Sequence, residues 1–582
     1  MFRYMSLLWD ERDEPAAAVA RSLLRKFRAQ NASWEISVDE PGFFIMSLNT
    51  PVTRAGGVVV LGELFNRATT NIAGLVHNCW GNYVAFLRDA TDTRWVLRSP
   101  GGTLPCLHAT YGGVDLYFSW TEACARLDLM PFSINWRYVV RSLLGPLASA
   151  ETGINEIMEI MPGFCEETRG AERTLHCYWN PVSIAREDPI PDFNTAVRTL
   201  HDVTRSCVHA WAARTPKLLH TLSGGLDSSI VLGCLQDAPS QPEITALTFF
   251  AEGPDSDERA FARCAAQWAH CEHIECRRDD SDVDLRQALC GARLERSTGL
   301  RVPAVDRIEP EYAVSVGAQA IYKGHGGDEL FCRHHTQYYV ADALRSGGLG
   351  ADTWGLLLHS AVTEGQSIWT ALAGAIRHAF IPRRWDLAGI FEGDQEGQSL
   401  LRPEVWHEAR ADGAWDVLFA HSTRECPPGK LWQISLATGW RPYYLPFTEE
   451  RDPPVITPLL SQPIIETCLR IPTYFQMWNR RERAVARAAF KAEVPRTILE
   501  RRWKGGAEPM AWKLFRRNLP FIRELLLDGQ LVRERIVDRK RLEAALSHSP
   551  SSPLSATVPV FELVGTEAWL NTWSTSSVSP IL

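Results

Sequence analysis

The residues best able to do chemistry in this chain of 582 amino acids are gathered in three short runs. The first is Thr221-Leu222-Ser223-Gly224-Gly225-Leu226-Asp227-Ser228-Ser229, entered from Leu218-Leu219 and left through Ile230-Val231-Leu232. A strand, a tight loop and a helix start thus follow one another. Two glycines let backbone N–H groups close round an anion, the serine hydroxyls add donors, and a helix beginning at Asp227 turns its positive end into the loop. A group of pyrophosphate size fits such a cradle. The run lacks the lysine of the G-x-x-x-x-G-K-[ST] loop and carries Asp227 instead, a ligand for Mg²⁺ held against phosphates. The expected ligand is ATP, cleaved between its α- and β-phosphates.

The second run, Lys323-Gly324-His325-Gly326-Gly327-Asp328-Glu329-Leu330-Phe331, directly follows the apolar stretch Gln319-Ala320-Ile321-Tyr322, read as a strand. A glycine-rich loop at that place can approach ATP closely, and Asp328 supplies a second Mg²⁺ carboxylate opposite Asp227. The third run is Arg501-Arg502-Trp503-Lys504-Gly505-Gly506. Of 61 basic residues only eight are lysine, so Lys504 and Lys323 stand out as compact charges with mobile donors in a chain that otherwise uses arginine.

Two regions must position these runs. Residues 1–190 read as β-rich, with strands around Gly57-Val58-Val59-Val60-Leu61, Gly81-Asn82-Tyr83-Val84-Ala85-Phe86-Leu87, Arg94-Trp95-Val96-Leu97 and Val114-Asp115-Leu116-Tyr117-Phe118-Ser119, separated by turns such as Pro100-Gly101-Gly102. Residues 191–582 alternate helix and strand: a helix from Asn194 to Ala213, the loop strand, a strand Ile244 to Phe250, a helix from Glu258 to Ala269, a short strand His273 to Cys276, and the strand before the second loop. That order predicts an α/β fold with a parallel sheet, helices on both faces, and ligands at the carboxyl ends of the strands. Residues 333 to 430 read as a helical insertion, either a wall of a substrate pocket or a layer that packs on the sheet.

Composition excludes other classes. A net charge of −8 with 45% hydrophobic and 22% charged residues describes an ordinary enzyme with no general affinity for nucleic acid or an anionic membrane. No apolar run approaches the ~20 residues a membrane span needs, and no secretory signal is visible, so a cytoplasmic protein is expected. The 14 cysteines lack paired spacing, which fits reduced thiols. His270-Cys271-His273-Cys276 matches no standard zinc spacing.

The motif Ser223-Gly224-Gly225-Leu226-Asp227-Ser228-Ser229 resembles the pyrophosphate-binding loop of the N-type ATP pyrophosphatases, among them asparagine synthetase, argininosuccinate synthetase, GMP synthetase and β-lactam synthetase, all of which adenylate a substrate. In asparagine synthetases the second run reads S-G-E-G-S-D-E-L-F, so His325 stands here in place of a glutamate. The third run is similar to the family's C-terminal loop, whose lysine approaches the acyl-adenylate. The resemblance therefore implies that Lys504 balances charge at the α-phosphate and the developing oxyanion. Gly62-Glu63-Leu64-Phe65-Asn66, Pro100-Gly101-Gly102, Ile154-Asn155-Glu156-Ile157 and Met161-Pro162-Gly163 resemble the glutaminase domain of the same enzymes, which implies a degenerate glutaminase-like (Ntn) β-sandwich in front of a parallel-sheet synthetase domain.

That glutaminase domain works through an N-terminal cysteine. This sequence begins Met1-Phe2-Arg3 and its first cysteine is Cys79, so glutamine is not the expected nitrogen source. β-Lactam synthetases and lasso peptide cyclases share the loss. The G-x-G-G-D form of the second run, Pro428-Gly429-Lys430-Leu431-Trp432-Gln433-Ile434 and Pro458-Leu459-Leu460-Ser461-Gln462-Pro463 resemble the cyclases. The implied reaction adenylates an Asp or Glu side chain of a leaderless precursor peptide and closes a macrolactam with its N-terminal amine. Implied partners are the precursor peptide, a leader peptidase and a leader-binding protein. A β-lactam synthetase acting on a small β-amino acid, an ammonia-dependent asparagine synthetase and an inactive peptide-binding scaffold are the alternatives.

The resulting site has Asp227 and Asp328 for Mg²⁺. Leu222, Ser223, Gly224, Gly225, Leu226, Asp227, Ser228, Ser229, Phe250, Lys323 and Gly324 surround ATP, and His325, Glu329 and Lys504 are the catalytic candidates. Imidazole titrates near ~6.5 and an α-amine near ~7.7–8.0, so His325 matches the amine as a general base; contact with phosphate and capping of the turn are its other possible roles.

Overall fold

The computed structural model describes residues 2–30, 33–66, 70–120, 132–145, 149–251, 257–277, 283–289, 307–333, 336–348, 350–381, 399–411, 426–439, 452–501, 508–547 and 553–574. Its front region is a pair of antiparallel sheets of six strands each. One runs Met158–Glu159, Leu107–Tyr111, Val114–Phe118, Arg3–Leu8, Phe43–Leu48, Glu35–Glu40 in spatial order. The other runs Glu172–Cys177, Phe164–Arg169, Arg94–Arg98, Trp80–Arg88, Val58–Phe65, Val52–Ala55. Phe86 of the second sheet meets Tyr4 and Tyr117 of the first edge-on, with centroids 6.2 and 5.9 Å away. The two sheets therefore pack face to face as the expected sandwich.

Several of these strands gave no alternating signal. Arg3–Leu8 is buried along its whole length, so it shows no polar face, and Glu172–Cys177 is a mostly exposed edge strand rich in polar residues.

The second region is built on a five-stranded sheet in the order Glu272–Arg277, Glu243–Phe250, Lys217–Thr221, Ala320–Lys323, Val455–Ile456, every neighbouring pair parallel. Lys217–Thr221 and Ala320–Lys323 are adjacent, with Thr221 opposite Lys323. Both glycine loops consequently leave from one carboxyl edge. The helix Phe193–Ala212 is opened by Asp192, whose side chain accepts from the Thr195 N–H at 2.9 Å. The helix Leu226–Gln236 is buried on nearly every side, which is why its sequence shows no polar stripe. Helices Thr336–Gly347, Ala351–Thr363, Ile368–Phe380 and Pro403–Ala411 occupy the stretch read as a helical insertion, and Pro428–Ala437 follows at its end. No helix among the described residues is long and apolar enough to cross a membrane.

The two regions meet through an aromatic cluster. Phe65 stacks on Trp80 at 4.2 Å and meets Trp211 of the second region edge-on at 4.7 Å. Beside it the Trp179 indole donates to Glu466 at 3.0 Å, and the Gln462 amide donates to the Val76 carbonyl at 2.9 Å.

Candidate functional site

Gly224 sits at φ +73°, and a Cβ there would stand 2.8 Å from the Ala262 nitrogen, so both conformation and space demand glycine. Leu226 begins the helix with Gly225 as its N-cap and no side-chain cap, the arrangement in which helix N–H groups serve an anion. The hydroxyls hold the loop's shape: Ser223 and Ser228 lie 3.1 Å apart, and Ser229 donates to the Gly225 carbonyl at 2.8 Å. Leu222 is locked to the next strand by its N–H to the Leu247 carbonyl and by the Thr248 hydroxyl on its own carbonyl, at 2.8 and 2.7 Å. Beneath the loop, His220 is fully buried and donates from Nε2 to the Ser228 carbonyl at 2.9 Å. Burial drives its pKa down to about 4, so the ring is neutral.

The second loop lies directly on the first turn of this helix. A Cβ on Gly324 would stand 2.5 Å from the Ser228 nitrogen, and one on Gly327 would stand 2.4 Å from Asp227 Cγ. That contact brings Asp227 and Asp328 to one cation: Arg483 Nη1 lies 3.0 Å from Asp227 Oδ2 and 3.2 Å from Asp328 Oδ1. Arg483 is nearly buried, adopts φ +53° at the start of helix Ala484–Ala489, and also bonds Glu482 at 3.0 Å. Burial opposes its charge, yet Asp227, Glu482 and Asp328 outweigh burial and hold it protonated.

These donors suit Mg²⁺. Two carboxylates converge on a point already held by a cationic nitrogen, and a hard divalent ion bound through one or two carboxylates takes its other oxygens from phosphate and water. Among the described residues no group of three or more His, Cys, Asp or Glu is gathered for a metal.

The remaining candidates line the same edge. Lys323 Nζ lies 2.5 Å from Glu309 Oε2, and the Thr221 hydroxyl donates to the other oxygen of that carboxylate. Burial works to raise the Glu309 carboxyl, but Lys323, Thr221 and nearby His325 hold it below the usual carboxylate range. His325 is exposed in the turn and Glu329 half-buried in the short helix Gly327–Leu330. The Leu330 carbonyl accepts from Gln433 at 2.6 Å, and Gln433 in turn accepts from the buried Lys430 ammonium at 2.6 Å. Phe250 ends the neighbouring strand with the Arg259 guanidinium 3.8 Å from its ring centroid.

Lys504 lies outside the described residues. The chain entering its run is fastened to the first loop, because Arg501 donates to the Gly224 carbonyl at 3.3 Å, pairs with Glu258 and covers the Phe261 ring at 4.1 Å. Sequence reasoning missed Arg483 and Glu309. Neither sits in a glycine-rich run, and only the fold brings them to the loops.

The asparagine synthase family profile matches residues 199–573 of this chain. No curated protein matches it. Among solved structures, the glutamine phosphoribosylpyrophosphate (PRPP) amidotransferase from B. subtilis complexed with ADP and GMP aligns over 55% of this chain and 81% of its own, at 10% identity and a TM-score of 0.20, a likeness too slight to bear on function.

Proposed function

The chain belongs to the asparagine synthase family, and we propose that it is a macrolactam synthetase of the lasso peptide cyclase type, on the resemblance of its G-x-G-G-D loop and its Pro428–Ile434 and Pro458–Pro463 runs to those cyclases. The family's chemistry is ATP-dependent, AMP-forming carbon–nitrogen ligation. The observation that supports the ATP-dependent part of the reading is the convergence of Asp227 and Asp328 beside a helix start that no side chain caps. Mg²⁺ held by those two carboxylates would offset phosphate charge. The loop Ser223 to Ser229 receives the pyrophosphate end through backbone N–H groups.

A carboxylate oxygen of the peptide's Asp or Glu side chain then attacks the α-phosphorus and expels pyrophosphate. The peptide's N-terminal nitrogen attacks the acyl carbon, AMP leaves with the C–O bonding pair, and the nitrogen's proton passes to a base. His325, exposed at the lip of the second loop where asparagine synthetases carry glutamate, is that base in this reading. Lys504 steadies the negative charge at the acyl-adenylate. Holding amine and acyl carbon together supplies much of the rate.

The test is mass spectrometry of a leaderless peptide incubated with protein, ATP and Mg²⁺, with AMP assayed beside it and Asp227→Ala as control. Peptide lighter by one water, with AMP, and neither from the variant, is the expected result. AMP formed only with aspartate and ammonium, or only with a small β-amino acid, replaces the cyclase with the asparagine or β-lactam reading. ATP binding with no product from any substrate leaves a scaffold.

A further inference from the structure

We propose that Glu309 is a positioning residue that ties the two catalytic loops together at their roots. The strands Lys217–Thr221 and Ala320–Lys323 are hydrogen-bonded neighbours, and their ladder ends at the facing pair Thr221 and Lys323. Beyond that pair each chain enters a loop, and the Mg²⁺ carboxylates follow six residues after Thr221 and five after Lys323. Glu309 reaches this junction from the helix Ile308–Ser315. One oxygen of its carboxylate accepts the Thr221 hydroxyl, and the other meets Lys323 Nζ at 2.5 Å. A single carboxylate thus cross-links the last residues of both strands.

Glu309 is only 6% exposed, so water competes little for these bonds and they define one geometry. The need for it is physical. Mg²⁺ demands near-ideal octahedral ligand placement, and two carboxylates on separate loops meet that demand only when the loops share a fixed base. Lys323 accordingly acts as the counter-ion of this link. Glu309 touches neither Asp227 nor Asp328 and works through Thr221 and Lys323. The inference rests on reading the loops as a Mg·ATP site.

Calorimetric titration of the full chain with Mg·ATP tests it, with thermal unfolding followed in parallel. Glu309→Gln and Lys323→Met are each expected to weaken Mg·ATP binding roughly tenfold, and the double variant no further, because both break one link. The double variant, which leaves neither a buried carboxylate nor its ammonium unpaired, is expected to regain thermal stability over the singles while its Mg·ATP affinity stays low. Thr221→Val removes one arm without unpairing a charge, and its roughly threefold loss keeps the test open if Glu309→Gln does not fold. Unchanged affinity in the single variants, losses that multiply in the double, or affinity that returns with stability overturns the link. No Mg·ATP binding by the unaltered protein overturns the nucleotide reading itself, and the inference with it.

Discussion

Arg483 decides the electrostatics between the loops. Its guanidinium lies between two carboxylates that would otherwise face each other, and with Arg333 at 3.2 Å from Asp328 it offsets their negative charge. Arg483→Met should therefore destabilise the protein by about 3 kcal/mol, the cost of leaving buried charge without its partner. Added Mg²⁺ should restore more of the melting temperature in this variant than in the parent; an equal response would mean that the ion does not bind between Asp227 and Asp328. Removal of either aspartate should lower the rate of AMP formation by about a hundredfold or more, measured at saturating ATP.

His220 adds a pH dependence. Its folded pKa of about 4 lies below the ordinary 6.5, so between those values the unfolded chain binds a proton that the folded chain refuses. Stability should be complete above pH 6.5 and fall by about 3 kcal/mol as pH drops to 4, a decline that His220→Gln flattens in denaturant titrations. The two glycine loops were legible in the sequence, since strand, glycine turn and helix start form a local pattern. Arg483 lies 256 residues from Asp227, and no local pattern announces such a partner.

The decisive element contact is loop on helix. Gly324 and Gly327 are required because the second loop rests on the backbone of Ser228 and on the side chain of Asp227. Gly324→Ala should push the loops apart, lower stability by about 1–3 kcal/mol and weaken Mg·ATP binding, whereas Gly347→Ala, whose Cβ meets nothing within 4 Å, should leave binding unchanged. Isothermal titration of the two variants separates a specific contact from a general loss of backbone freedom. Three strands of the parallel sheet, Glu243–Phe250, Lys217–Thr221 and Ala320–Lys323, were predictable as apolar runs, and His273 to Cys276 as a short one, but the two-residue Val455–Ile456 was not read as a strand. The front strands were half legible: Val58–Phe65 and Trp80–Arg88 stood out, but Phe43–Leu48 is almost wholly buried and gives no two-residue period.

At the scale of the whole molecule, the front sandwich and the synthetase region share one continuous core. The segment Pro458 to Gln462 passes between them. Leu460 packs against the second loop, where a Cβ on Gly326 would stand 2.5 Å from its side chain, and its carbonyl lies 3.4 Å from the Cβ position of Gly101 in the front turn. The front region thus buttresses the second glycine loop, a structural task that needs no thiol chemistry. Its buried thiols suit that role, with Cys106 pushed up to about 12 and Cys165 raised further by burial. Both regions should unfold in one calorimetric transition. Phe65→Ala should cost about 3–5 kcal/mol and split that transition in two, because it removes the ring between Trp80 and Trp211. The pairing of the two regions was visible in outline from the change of pattern near residue 190, but their joint was not, since aromatic residues distant in sequence build it.

The most direct measurement is the fate of isotope from a substrate whose reacting carboxylate carries ¹⁸O, followed by ³¹P NMR during turnover with Mg·ATP. Transfer of the label to AMP, with pyrophosphate as the other product, is expected if these loops adenylate a carboxylate. Formation of ADP, or of AMP that carries no label, would contradict it.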